Sequence, residues 1–517
     1  MCGIAGAFSP DDKDMNGEVK GRLARLRHRG YRHFEMDGGP GWAIGANRLE
    51  ILDREHGRQP KYSHDRRVIA VLNGEIYNYH SLKHDLIAEG CVFESDTDTE
   101  VIAQGYRMWG EDLFARLDGM FALILWDAAE RTFTVARDPV GVKPLYYVHD
   151  GLQVLFASEV KALLGCELEI QEVPPGHAMT GWRMDVLSYD RRKPCLISEN
   201  LDENAAILRT LISEAVRKRV QTDLPVAVFL SGGIDSSVVL YEAACHHPDV
   251  TGFSIGLLMA EDVTAARNVC NELGVPHVHV PVTEQNLLEL IPETVWTIES
   301  FEPNHIRGGT LSYLLAKAVS NAGYRVALCG EGADELFGGY REFGLAVASR
   351  SDDRELHALF VRFLGELHRT QLQRVDRTAM RFTLEVRVPF LDKQILDLSA
   401  ALPVEHKVAL QEDGTVGDKR VLRAAYRGLL PNWVIKRPKV VLSLGAGFGS
   451  NGQEGPFYEN GQRQVSEAEL DMLRVGYPIF DLRTREEAYY FKVYLDRFGP
   501  LSLGQMRPLV NATPVNV

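Results

Sequence analysis

The stretch Ser231-Gly232-Gly233-Ile234-Asp235-Ser236-Ser237 constrains this chain more than any other. The apolar run 225–230 before it reads as a buried parallel strand, and the run 238–244 after it as a helix. Strand, glycine turn and helix start in succession gather backbone N–H groups and the positive end of a helix around one point, and the serines add hydroxyl donors. Such a turn is built to hold phosphate. It is not the common nucleotide loop: the Gly-Lys-Ser/Thr ending and four-residue spacer are missing, and Asp235 sets a negative charge where phosphate would lie. A bridging metal ion resolves that conflict.

Around this stretch strand and helix alternate, with strands expected at 251–256, 277–280 and 325–329 and helices at 204–221, 260–273, 284–298 and 309–322. The pattern predicts a doubly wound parallel α/β sheet whose ligands sit at strand carboxyl ends. A second such end carries Cys329-Gly330-Glu331-Gly332-Ala333-Asp334-Glu335. Three carboxylates among glycines need a shared cation. Asp235 and Asp334 are therefore the candidate ligands for Mg²⁺ on the phosphates of a nucleotide, either directly or through water.

Residues 1–195 read differently. Short strands are expected at 3–8, 41–49, 67–72, 120–127, 132–137, 144–148 and 153–157, and helices at 21–27, 79–89 and 99–109. This predicts an α+β layered domain with facing sheets. The polar stretch 190–205 reads as a linker to a second domain, 205–517, and 517 residues are too many for one core. A net charge of −14 argues against broad nucleic-acid binding. The basic cluster from Arg22 to Arg29 reads as an amphipathic helix with a solvated basic face. Seven scattered cysteines without a Cys-x-x-Cys pair speak against a disulfide scaffold or zinc knuckle. No apolar run approaches the roughly 20 residues of a membrane span, so a cytoplasmic protein without membrane or nucleic-acid partners is expected.

Cys2 follows the initiator methionine. Removal of Met1 would put a thiol and an α-amine, titrating at about 7.7–8.0, on one residue, a nucleophile beside its own base. The alternative is a small buried side chain at a strand start. Asn73-Gly74 is by itself a tight turn; set against a nucleophile, its amide and N–H make an oxyanion hole.

Six motifs then fall in order: Cys2-Gly3-Ile4-Ala5-Gly6, Asn73-Gly74-Glu75-Ile76-Tyr77-Asn78, Asp96-Thr97-Asp98-Thr99-Glu100, Leu117-Asp118-Gly119-Met120-Phe121-Ala122, Arg137-Asp138 with the run 141–147, and the run 156–164. They resemble the N-terminal-nucleophile (class II) glutaminase domain of the glutamine-hydrolysing asparagine synthetases. The loop 231–236 resembles that of the ATP-pyrophosphatase superfamily. The loop 330–335, the segments 376–380 and 384–392, and Lys436-Arg437-Pro438-Lys439 are similar to the synthetase domain of the same family. The likeness covers nearly the whole chain.

The resemblance implies roles for matching positions. Cys2 would attack the glutamine amide, with Asn73 and Gly74 holding the oxyanion. Arg48, Glu75 and Asp98 would hold the carboxylate and amine of glutamine by charge-paired hydrogen bonds. Leu230, Ser231, Gly232, Gly233, Asp235, Ser236, Ile255, Cys329 and Gly330 would form the ATP site. Lys439 would offset charge on the transferring phosphoryl centre, and Glu331 would deprotonate the attacking nitrogen. Met120 is a candidate wall for an enclosed passage carrying ammonia between sites, or else a core methionine. Three departures stand out. Tyr31-Arg32 replaces Pro-Asp after Arg29-Gly30, and Asn47 replaces a basic residue before Arg48. Asn304-His305-Ile306-Arg307 replaces paired threonines before Ile-Arg in the expected acceptor site.

The expected activity is glutamine- and ATP-dependent amide synthesis with release of AMP and pyrophosphate, converting aspartate to asparagine through a β-aspartyl-adenylate. The alternative is the same chemistry on another amino acid or natural-product carboxylate, with a different amine. A homodimer is compatible with this reading. A non-catalytic nitrogen or nucleotide sensor is the rival of another class. Against it stands the intact set Cys2, Asn73, Asp235, Glu331, Asp334 and Lys439.

Overall fold

The computed structural model describes residues 2–30, 34–51, 53–166, 168–190, 195, 197–411, 413–449 and 455–500. Met1, Tyr31, Arg32 and residues 191–194 and 196 of the expected linker lie outside the described residues.

The first half holds two six-stranded sheets. One contains β1 (Gly3–Phe8), β2 (Phe34–Gly39), β3 (Trp42–Asn47), β8 (Tyr146–His149), β9 (Val154–Ala157) and β10 (Gln171–Glu172), in the order β10-β8-β9-β1-β3-β2. The other contains β4 (Lys61–Tyr62), β5 (Val68–Ile76), β6 (Gly119–Asp127), β7 (Thr132–Arg137), β11 (His177–Thr180) and β12 (Asp185–Ser188), in the order β12-β11-β7-β6-β5-β4. The period-2 alternation of side chains explains their stacking. Along β1, Ile4 and Phe8 join Ile69, Val71, Ile124 and Phe133 in a core between the sheets. Ala5 and Ala7 on the reverse face meet Val19 and Leu23 of the helix Asn16–Arg25. Along β5, Val68, Ala70 and Leu72 point outward to Leu86 and Ile102 of the helices Tyr79–Ala88 and Asp98–Trp109. Helix, sheet, sheet and helix form four layers.

Three expectations change here. The first helix starts at Asn16, five residues early, because Gly17 and Gly21 weaken its intrinsic signal. Asn73 and Gly74 are not a hairpin turn; they continue β5, paired with Ala122 and Phe121 of β6. The basic cluster is only partly solvated: Arg22 on the first helix and Arg29 in the 3-10 turn after it are buried.

The second half is a parallel sheet of β13 (Val226–Phe229), β14 (Val250–Gly256), β15 (His277–Pro281), β16 (Val326–Leu328) and β17 (Glu385–Arg387), in the order β15-β14-β13-β16-β17. The chain leaves β13 toward β14 and returns on the other side at β16, so the crevice for ligands opens between β13 and β16. The expected helix 284–298 is two, Glu284–Glu289 and Ile291–Ile298, because Pro292 cannot donate into a continuous ladder and instead sits in the first turn of the second. The helix expected at 309–322 runs Pro303–Asn321, which brings Asn304, His305 and Arg307 into its first turns.

Buried ions join the halves. Arg29, fully buried, donates to Glu159 at 2.6 Å and forks onto Asp376 at 2.8 and 3.1 Å. Glu299 accepts from Lys161 N at 2.8 Å and Arg377 Nε at 3.1 Å. No helix among the described residues is long and apolar enough to cross a membrane.

Candidate active sites

On β5 the inward parity that places Ile69 and Val71 in the core continues to Asn73 and Glu75. The same alternation that builds the core therefore aims these two polar side chains at the start of β1. The backbone N–H of Cys2 donates to Asn73 Oδ1 at 3.2 Å, and Gln59 Nε2 lies 3.7 Å from the Cys2 Sγ. Arg29 Nε donates to the Cys2 carbonyl at 3.2 Å. Asn73 Nδ2 is buried without a hydrogen-bond partner among the described residues, a donor left for an incoming oxygen. Gly74 has φ 152°, and a Cβ there would lie 2.0 Å from the Met120 carbonyl. Only glycine keeps β5 against β6 at this point.

Burial pushes the Cys2 thiol above its ordinary range. Burial and Glu385 carry Glu75 up to about 8. Burial lifts Asp98 to about 6, although the N–H of Ile76 donates to it at 3.2 Å. Arg48 reaches the carbonyl of Asp53 at 2.8 Å. The structure thus brings Cys2, Asn73, Gly74, Glu75 and Asp98 together, with Arg48 tied to the adjoining loop.

The second cluster lies at the β13–β16 crevice. Gly232 has φ 73°, and a Cβ would meet Ala265 at 2.6 Å. The Ser231 and Ser236 hydroxyls are 3.2 Å apart, and Gly233 N–H donates to Ser231 Oγ at 3.3 Å. Leu230, Ile255 and Cys329 are buried around the turn. A Cβ on Gly330 would come within 2.9 Å of Asp235 Cβ, so the two loops touch.

Lys419, which the sequence reading missed, joins them. Its Nζ donates to Asp235 at 2.8 and 2.6 Å and lies 2.6 Å from Asp334 Oδ1. Lys439 Nζ reaches Asp334 Oδ2 at 2.5 Å. Against burial, these two ammonium groups hold Asp334 below the ordinary carboxylate range, while burial outweighs Lys419 at Asp235 and raises it. The three acids of the second loop do not share one cation. Glu331 pairs with Arg374 at 2.6 Å, and Tyr340 donates to Glu335, which burial and Asp334 push up to about 8. Arg437 was also missed: it ties the Ser231 carbonyl at 2.9 Å to Asp262 at 2.7 Å. Nothing local marks Lys419, a buried residue at φ 46° in an otherwise ordinary Asp418-Lys419-Arg420 run.

At the expected acceptor site Asn304 is exposed. His305 is buried, bonded to Ser300 Oγ at 3.1 Å, and burial drives its imidazole down to about 3. Arg307 Nε donates to Glu486 at 2.8 Å.

Two families match the chain: "Glutamine amidotransferase domain" over residues 1–181 and "Asparagine synthase" over 207–355 and 347–503. Asparagine synthetase [glutamine-hydrolyzing] 2 of Oryza sativa subsp. japonica is 31% identical over 537 aligned positions, covering 98% of this chain and 87% of that one. The enzyme of the same name from Arabidopsis thaliana is 32% identical, covering 97% and 88%. Asparagine synthetase B [glutamine-hydrolyzing] of Escherichia coli (strain K12) is 31% identical, covering 97% and 92%. The chain belongs to the glutamine-hydrolysing asparagine synthetase family.

Proposed function

We propose that this chain makes asparagine from aspartate, glutamine and ATP, with Cys2 as the glutaminase nucleophile and the loops after β13 and β16 as the nucleotide site. The Cys2 α-amine, freed by removal of Met1, takes the thiol proton as sulfur adds to the glutamine amide carbon, the oxyanion is held by Asn73 Nδ2 and Gly74 N–H, and the same proton passes to the leaving nitrogen. Ammonia leaves, and water hydrolyses the thioester to glutamate. Arg48, Glu75 and Asp98 hold the α-carboxylate and α-ammonium of glutamine. In the second site the acceptor carboxylate attacks the α-phosphorus of ATP, pyrophosphate departs, and ammonia displaces AMP from the acyl-adenylate. Ser231, Gly232, Gly233 and Ser236 bind phosphate oxygens. Leu230, Ile255, Cys329 and Gly330 border the adenosine. Lys439 and Lys419 offset the charge on phosphorus. Glu331, oriented by Arg374, takes the proton from nitrogen.

Asp235 and Asp334 fit Mg²⁺. They offer an all-oxygen pair on touching loops, and an ion arriving with the nucleotide would take the place between them that the Lys419 ammonium holds here. That suits an ion that completes its shell with water and substrate phosphates. When bound it neutralises charge on the departing pyrophosphate.

A small cavity at the junction of the halves is lined by Met120, Val142, Val388 and Leu391, and also by Asp118, Asp138, Arg219 and Lys393, so Met120 borders a space between the halves that is too small and too polar to be by itself a route for ammonia. Neutral ammonia is the nucleophile, and water would protonate it.

The observation that carries the nucleotide assignment is the Asp235–Lys419–Asp334 bridge between two loops at a topological switch point. The test is ATP–pyrophosphate exchange across a panel of carboxylic acids, followed by product formation with glutamine or with ammonium. Absence of exchange with every acid sinks the synthetase reading. Exchange with other acids but not aspartate sinks the asparagine assignment alone. That second reading, another carboxylate, is favoured by Asn304 and His305 in place of paired threonines. Cys2→Ala is expected to lose glutamine-supported turnover and keep ammonium-supported turnover.

A further inference from the structure

Arg387 belongs by its backbone to the parallel sheet, yet one arm of its side chain reaches toward the other half of the molecule. It closes β17, opposite Leu328 of β16, and its carbonyl accepts the N–H of Cys329 at 3.1 Å, where the acidic loop begins. The guanidinium is buried. Nε donates to Glu385 at 2.6 Å and Nη1 to the carbonyl of Arg219 at 2.6 Å, while Nη2 stands 3.5 Å from Glu75 Oε1. That Nη2 has no hydrogen-bond partner among the described residues, although it is sealed from water.

A buried guanidinium N–H without a partner is costly to keep. Two of this fork's three arms are satisfied, and they fix the direction of the third toward Glu75. The charged and titratable groups around it are Glu385 on its own strand, Asp98 from the helix Asp98–Trp109, Tyr77 beyond β5, and Arg219, which stacks 4.3 Å over the Tyr77 ring. Arg387 lowers Glu75 against the rise from burial, Glu385 and Asp98, more than the terminal amine does.

We propose that Arg387 is a positioning residue of the glutamine pocket, lent by the synthetase half: it orients the Glu75 carboxylate to receive the α-ammonium of glutamine. The inference rests on the reading of Glu75 given above. It makes the pocket complete only when the two halves are docked. A lysine in its place would keep the charge but could not bond in three fixed directions.

Arg387→Gln, Arg387→Lys and Glu75→Gln are to be compared in the full chain, by glutamine hydrolysis and by ammonium-supported pyrophosphate release. Arg387→Gln is expected to raise KM for glutamine about tenfold, the size of one lost charge-assisted contact. It should also shift the acid limb of kcat/KM for glutamine up by about one pH unit, because Glu75 loses its cation, and leave ammonium-supported release intact. Arg387→Lys should restore the limb but only part of the KM. If Glu75→Gln raises KM while Arg387→Gln moves neither KM nor limb, Arg387 is merely structural and the inference fails alone. If Glu75→Gln also leaves KM unmoved, the reading of the pocket fails and the inference with it. Should Arg387→Gln lose both activities, Arg387→Lys decides: raised KM with ammonium-supported release intact supports the inference, and parallel loss or no change overturns it.

Discussion

Two buried carboxylates, Glu75 in one site and Asp334 in the other, are held in opposite ways. In the glutamine half burial and Glu385 carry Glu75 to about 8, and burial takes Asp98 to about 6. In the nucleotide half burial still raises Asp235 and Glu335, but at Asp334 it is overridden by Lys419 and Lys439, which hold that carboxylate below the ordinary range. The difference follows from what each site receives. Glutamine brings its own ammonium, so its pocket can remain short of cations. A nucleotide brings several negative charges, so its pocket must hold cations beforehand. Arg387 is the exception proposed above, one cation reaching across to the acid-rich side.

The sharpest way to break this contrast is Lys419→Met. It removes the ammonium between Asp235 and Asp334 and leaves two buried acids facing each other. ATP–pyrophosphate exchange is expected to fall on the order of 10²–10³-fold, the usual size of a lost electrostatic contact to a developing charge. Glutamine hydrolysis should stay within about threefold. An equal fall in both would mean that Lys419 supports the whole fold and that the two halves are not electrostatically separate.

Gly74→Ala probes the opposite half. With a Cβ 2.0 Å from the Met120 carbonyl, β5 must part from β6 just where the oxyanion donor sits. Glutamine hydrolysis is expected to drop by about 10²-fold, read against unchanged ammonium-supported pyrophosphate release. Retained hydrolysis would remove the Gly74 N–H from the mechanism.

The glycine loops after β13 and β16 were legible in the sequence because their signal is local: an apolar strand, a glycine turn, a helix start. Asn73-Gly74 was ambiguous for the converse reason. Two residues cannot show whether a strand ends or continues, and only the pairing with β6 over nine residues settles it. Lys419 and Arg374 were illegible because each lies far along the chain from the acid it meets, 184 residues in the case of Asp235. Arg29 looked like part of a solvated basic face, since a sequence window cannot see that Glu159 and Asp376 fold over it. The helix at Pro303 was hidden by Gly308 and Gly309, whose low propensity argues for a later start, while the tertiary packing of Ile306 and Leu311 overrides it.

The contrast also has a pH signature. Glutamine's α-ammonium needs ionised partners, so kcat/KM for glutamine should fall as pH drops below about 8, toward tenfold per unit, as Glu75 takes a proton. A further bend is expected near 6 from Asp98. Asp334, held low by its lysines, stays ionised throughout that window and contributes no limb of its own to exchange, whereas Glu335 beside it titrates at about 8. A limb in exchange that Glu335→Gln does not remove would dissolve the distinction.

The smallest expected effect lies at the acceptor. Asn304 is exposed in the first turn of Pro303–Asn321, whereas its neighbour His305 is buried against Ser300. Asn304→Ala therefore removes an amide without opening a cavity, and the melting temperature should not move. If the amide bonds the acceptor, KM for that acceptor rises about three- to tenfold, the net worth of one hydrogen bond to a charged or polar group, with KM for ATP and glutamine unchanged. An unchanged acceptor KM would place recognition on the buried side, at His305 and Arg374. The acceptor site would then resemble the closed glutamine pocket in being sealed, rather than the solvent-facing end of a helix.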